Sequence, residues 1–334
     1  MKRYLVPALT ALLCATGVTW AQNSTAPGNA NATLGGVRHL EQGQPAVVIH
    51  PTVEGAKQAR KSSSTSAGNL YYHGGTSDGA AGTIGVETAP KIYLVFWGSQ
   101  WNNNDPSGEA GILESFLPGA SGSSWLNSVT QYCQGVNSGT YFCNGAGTAA
   151  GNKTGEYAGY WYDNASKAPS RPRQSQLASE AVRAAAHFGN KSVSSNASAQ
   201  YVIATSTGNS SSGFGTQYCA YHSSTTSSYG DVAYTNLPYI TDAGSSCGAN
   251  FNGLGPDAGI TIVEGHEAAE TITDQFPSNG WLDSSGYEIG DKCAWISSGQ
   301  GASADVTFST GTYPVQSLWS NAFNSDLGGC VLSY

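Results

Sequence analysis

The sequence predicts an α+β domain: a mixed β-sheet backed by one helix, followed by a late helix that carries a histidine–glutamate motif. Three observations lead there. "KIYLVFWGSQW" (91–101) and "AQYVIATST" (199–207) are short, continuous apolar runs rich in β-branched and aromatic residues, the pattern of buried strands. "RQSQLASEAVRAAAHFG" (173–189) places Leu177, Ala181, Ala184, Ala185 and Phe188 on one side and stops at Gly189, as a backing helix would. "DAGITIVEGHEAAETITDQF" (257–276) reads as a second helix, begun near Asp257 and stopped by Pro277.

The remaining elements follow in chain order. Lys2 and Arg3, an apolar stretch from Tyr4 to Val18, and small residues at Thr19 and Ala21 predict a secretory signal peptide over 1–21, which would remove Cys14. Residues 22–68 read as an extended leader, either a propeptide or a wall-spanning linker. They hold little apolar sequence beyond "PAVVIH" and end in the basic "KQARKSSSTSAGN". From 69 to 334 the texture is that of a single domain. "GEAGILESFLPG" and "SSWLNSVTQYC" look like short helices, and "GDVAYTNLPYI" (230–240) like a strand that Pro238 confines to a sheet edge. The C-terminal part reads as short strands and turns.

Seven cysteines leave six after the signal, and an even number in an exported chain favours disulfides over thiol chemistry. Six cysteines allow about 15 pairings. Because local loops close most easily, the expected set is Cys133 with Cys143, Cys219 with Cys247, and Cys293 with Cys330. The formal net charge of −8 excludes the basic footprint of a nucleic-acid-binding protein. No run after the signal approaches the roughly 20 apolar residues of a spanning helix, so the expected product is a secreted, extracellular monomer with no membrane or nucleic-acid partner.

The late helix concentrates the chemistry. Helical spacing puts His266 and Glu270 one turn apart on one face, with Glu267 turned aside by about 100°. The stretch resembles the HExxH helix of zincin metallopeptidases, with Glu270 in place of the second histidine. The order of strands and helices also resembles the zincin fold. That resemblance implies that His266 and Glu270 are metal ligands and that Glu267 is the general base on the metal-bound water. A third ligand should come from downstream, where "GWLDSSGYEIGDKCAW" offers Asp283, Glu288 and Asp291. Glu288 is the expected ligand, with Asp291 next. A set of one imidazole and two carboxylates keeps zinc as the expected metal while tilting preference toward harder ions, calcium among them. The alternative for so many acids is a solvated helix face, but "ITIV", Ala268, Ala269 and Ile272 argue that this helix is buried.

Other candidates are weaker. His222 in "YCAYHSS" is either a catalytic donor or ligand facing the same cleft, or a polar turn residue beside a disulfide. His73 and His187 read as structural, and His39 and His50 fall in the leader. No G-x-S-x-G nucleophile elbow occurs. Trp97, Trp101, Trp161, Trp281 and Trp295 leave a minor glycosidase reading, in which they form a sugar-binding surface.

At "YYHGGTSDGA", "KIYLVFWGSQW", "YCAYHSS" and "GHEAAETITD" the chain also resembles the phosphate-induced protein 1 family, the exordium-like secreted proteins of plants. It departs from that pattern after Asp274. Together the resemblances imply two functions. One is a secreted metallohydrolase, an endopeptidase acting on a protein or peptide substrate. The other is a non-catalytic extracellular protein that binds a wall polymer or carbohydrate, with a structural cation.

Overall fold

The computed structural model describes residues 35–62 and 68–334. The segment expected to be a signal peptide lies outside the described residues. Seven strands form the main sheet: β1 (Val37–Arg38), β2 (Val47–Pro51), β3 (Lys91–Trp97), β4 (Tyr157–Asp163), β5 (Ala199–Thr205), β6 (Tyr218–Ser227) and β7 (Gly230–Leu237). Their spatial order is β1-β2-β6-β7-β5-β3-β4. The strands β4, β3, β5 and β7 run parallel, and β6, β2 and β1 continue the sheet antiparallel, so the sheet is mixed.

The helices explain why β3 and β5 are apolar on both faces. Four matter here: α1 (Val53–Ser62), α2 (Glu109–Ala120), α3 (Gln174–His187) and α4 (Ala258–Thr273). Val95, Tyr201 and Ile203 pack with Leu177, Ala181 and Ala185 of α3 on one face of the sheet. Leu94, Phe96, Val202 and Ala204 turn to the other face and share a core with Phe116 of α2 and Ile262 and Ala269 of α4. Parallel strands covered on both faces have no polar side to show, hence the unbroken runs. Every residue of α4 is buried, the condition under which a helix loses its polar stripe. Among the described residues no helix is long and apolar enough to cross a membrane.

Four expectations change. The described part of the expected leader is folded, with β2 paired to β6 and α1 running on from it. Val47, Val48 and Ile49 suit a short strand covered on both faces, and "PAVVIH" was the one signal of it. The strand β7 is interior, between β6 and β5, because it ends at Leu237 and Pro238 removes no ladder donor. His222 lies in β6 rather than in a turn; the Ser/Thr run "SSTTSS" hides a strand whose threonines favour extended backbone. "SSWLNSVTQYC" forms only a short 3-10 segment, Leu126–Gln131.

The cysteines pair as Cys133–Cys143, Cys219–Cys247 and Cys293–Cys330. Three disulfides are the mark of folding in an oxidising compartment. Cys219 sits three residues before His222, and its bond to Cys247 ties β6 to the segment that leads into α4. That bond closes a 28-residue separation. Replacing both cysteines by serine is expected to lower unfolding stability by roughly 3.5 kcal/mol in the loop-entropy account, measured by urea denaturation.

Candidate metal centre

Two elements bring the site together. His266, Glu267 and Glu270 project from the middle of α4, and His222 reaches them from β6. The chain then turns back: Asp274 caps the turn after α4 by accepting N–H bonds from Ser278, Asn279 and Gly280, and returns Glu288 and Asp291 to the same helix face. Glu270 Oε1 holds this return in place, accepting from the backbone N–H of Gly290 at 3.2 Å and of Asp291 at 2.8 Å. A side chain at 290 would put its Cβ 2.6 Å from His266 Nδ1, so only glycine allows the approach. The Cys293–Cys330 bond fixes the end of the 3-10 turn Asp291–Cys293 to a C-terminal strand.

The ligand-type atoms converge. His266 Nε2 lies 3.1 Å from Glu270 Oε2 and 3.8 Å from Asp291 Oδ1. His222 Nδ1 lies 3.3 Å from Glu267 Oε2 and 3.7 Å from Glu270 Oε2, and its Nε2 lies 3.6 Å from Glu288 Oε1. Three overlapping groups have ligand atoms within 4.8 Å of one another: His266–Glu270–Asp291, His222–Glu267–Glu270 and His222–Asp274–Glu288. The structure therefore brings together all six residues singled out in the sequence and redistributes them. Asp291, not Glu288, joins His266 and Glu270; Glu288 faces His222 and Asp274.

Three participants were missed. Asp274 was noted only as part of the acidic run. Gln316 accepts from His266 Nδ1 at 3.3 Å through Oε1, while its Nε2 donates to Gly290 O and Ser317 O, which fixes the amide's orientation. This leaves the Nε2 lone pair of His266 turned toward Glu270 and Asp291. His50, from the expected leader, stacks edge-on against His266 with ring centroids 4.1 Å apart and lies 3.2 Å from the same Gln316 oxygen. Nothing in the sequence near His50 or Gln316 marks them, because each reaches the site only through sheet or hairpin pairing.

The electrostatics call for a positive charge. Glu264, Glu267, Glu270, Asp274, Glu288 and Asp291 are all 0 % exposed. Burial pushes Glu264, Glu267, Glu270, Glu288 and Asp291 well above the usual carboxylate range, and their mutual repulsion adds to this for all but Glu264. Burial also pulls His222 and His266 down to about 3. Lys292 lies beside the cluster but pairs with Asp283 at 2.7 Å. His266 Nε2, Glu270 Oε2, Asp291 Oδ1, Glu267 Oε1 and both oxygens of Glu264 have no hydrogen-bond partner. Buried polar atoms are ordinarily satisfied, and the unpartnered atoms of His266, Glu270 and Asp291 converge on one point, an arrangement that fits a divalent cation.

Of the five tryptophans read as a sugar-binding surface, Trp97, Trp101, Trp281 and Trp295 are buried, and Trp161 is half-buried and stacked on His187. Comparison with known proteins finds no family model that matches this chain, no similar curated protein and no similar solved structure. The resemblances to zincins and to the exordium-like family therefore rest on the motifs alone.

Gln316 orients a ligand from behind, and removing such a partner commonly costs about 10–100-fold in metal affinity. Gln316→Ala is expected to weaken divalent-metal binding by that factor, measured by competition with a chromogenic chelator. Unchanged affinity would remove Gln316 from the centre.

Proposed function

We propose that the protein is a secreted metal-dependent hydrolase, an endopeptidase of zincin-like type, with zinc held by His266, Glu270 and Asp291 and Glu267 as general base. The observation that carries this reading is the convergence of unpartnered imidazole and carboxylate atoms beside a glutamate one position from the histidine ligand. A bound divalent cation would polarise the scissile carbonyl and acidify the attacking water.

The chain's own residues supply the rest. Glu267 takes a proton from the water as its oxygen bonds to the carbonyl carbon. When the C–N bond breaks, that proton passes to the leaving amine, so Glu267 ends as it began. His222 is a positioning residue in this scheme: Nδ1, 3.3 Å from Glu267 Oε2, donates to the carboxylate and holds it in register with the ligands. Two carboxylate ligands would neutralise much of a bound cation's charge, which would leave the water less acidic and the proton transfer to Glu267 more important. The high proportion of oxygen ligands keeps calcium as the alternative metal.

Complete burial of the cluster favours a second reading, in which the cation is structural and the protein is a non-catalytic extracellular wall or carbohydrate-binding protein. One variant separates the two. Glu267→Gln is expected to retain its metal and lose hydrolysis of an unfolded protein substrate by at least about 100-fold, the usual contribution of general base catalysis. Metal content by elemental analysis and substrate cleavage by mass spectrometry are the measurements. Equal cleavage by the variant would remove Glu267 from its role, and bound calcium with no cleavage by the native chain would leave the structural reading standing.

A further inference from the structure

A hydrolase must admit its substrate, and one N-terminal segment lies directly over this centre. Residues 35–62 run along the site before the chain enters the body of the domain. The strand β2 pairs antiparallel with β6, the strand that carries His222, with Val48 opposite His222 and Ile49 opposite Tyr221. All five residues of β2 are buried. Three groups of the segment touch the centre itself. The His50 ring packs on His266, the His50 backbone N–H donates toward Glu267, and the Gly36 backbone N–H donates toward Asp291. Gly35 lies so close to Asp291 that an added Cβ would fall on its Oδ1. An extended chain laid along the strand beside the centre, backbone donors turned to the candidate base and a candidate ligand, has the geometry of a bound peptide.

The far end of the segment is a clamp at the surface. Trp295 Nε1 donates to Pro51 O at 2.7 Å, and Arg60 of α1 donates to the carbonyls of Ala294 and Trp295. Between α1 and the body runs an open groove of about 450 Å³, lined by Val53, Lys57, Arg60, Phe251 and Trp295. The helix is thus incompletely packed along its length, and its last turn presents an exposed Lys61 next to Arg60.

We infer that the edge of β6 is the binding site for an extended peptide, and that residues 35–62 are an internal occupant which keeps the site closed until the chain is cut at the basic end of α1. The inference rests on the hydrolase reading above for its consequence, not for its geometry. Cleavage after Lys61 would leave β2 and α1 held only by non-covalent contacts. Their departure would free the N–H and C=O groups of Tyr218–Ser223 to pair with a substrate strand, with its backbone near Glu267 where that of His50 now lies.

The test uses the full chain, intact and after limited trypsin treatment with the trypsin then inhibited, the cut at Arg60 or Lys61 being verified by N-terminal sequencing. A fluorescent peptide of residues 44–54 is expected to bind the cut protein and not the intact one. Hydrolysis of an unrelated unfolded substrate is expected to rise at least about tenfold on cutting, as when an occupant that closes nine molecules in ten is removed. Failure of the peptide to bind overturns the inference, as does measurable hydrolysis that is equal before and after cutting, or unfolding of the cut protein by circular dichroism. Peptide binding without hydrolysis in either form would sink the hydrolase reading and leave the peptide edge standing.

Discussion

The carboxyl groups of Glu267, Glu270, Asp274, Glu288 and Asp291 and the imidazoles of His222 and His266 share one dry volume, and this is the constraint on which the rest of the structure depends. Each ionised carboxylate removed from water costs several kcal/mol unless a positive charge or a set of donors replaces the solvent. Asp274 has its donors in the turn after α4, and Glu270 has two backbone N–H groups on one oxygen. Glu264 has none, and the remaining oxygen of Glu270 and one oxygen each of Glu267 and Asp291 have none. Neutral acids would lower the repulsion but leave the same oxygens unpartnered. A divalent cation held by His266, Glu270 and Asp291 would answer both difficulties there, since it would restore the charged forms and give those lone pairs something to meet.

The surrounding architecture can be understood as the means of holding that volume together. The helix α4 is buried along its whole length, placed so that its centre faces β6. Two disulfides bracket the functional loops, Cys219–Cys247 beside His222 and Cys293–Cys330 beside Asp291. Gly290 permits the return segment to press against His266, and Gln316 reaches in from the C-terminal hairpin to set the imidazole's tautomer. Covalent ties at both sides of the centre are what a small-residue, charge-poor chain needs to keep acids in register without a rim of salt bridges.

How much of this was legible in the sequence depends on whether a residue's neighbours are local. His266, Glu267 and Glu270 were legible because helical spacing alone places them. Asp291 and Glu288 were legible as candidates but not as a choice, since a turn of unknown shape separates them from the helix, and the structure gives the place beside His266 to Asp291. His222 carried the right residue on the wrong backbone, because serines and threonines concealed a long strand. His50 and Gln316 were illegible: His50 enters through the pairing of β2 with the distant β6, where it lies opposite Ala220, and Gln316 enters from beyond a hairpin that follows the helix. Pro238 misled by lying one residue past a strand it was thought to limit. The same locality explains the disulfides, where nearest-neighbour pairing sufficed.

Anomalous diffraction from crystals of the native protein, collected across the zinc edge and with calcium tested by its own signal, bears most directly on the central claim. The account predicts one strong peak about 2.0–2.3 Å from His266 Nε2 and from one carboxylate oxygen each of Glu270 and Asp291. Density without such a peak, with the carboxyl groups hydrogen-bonded to one another or to ordered water, would contradict it.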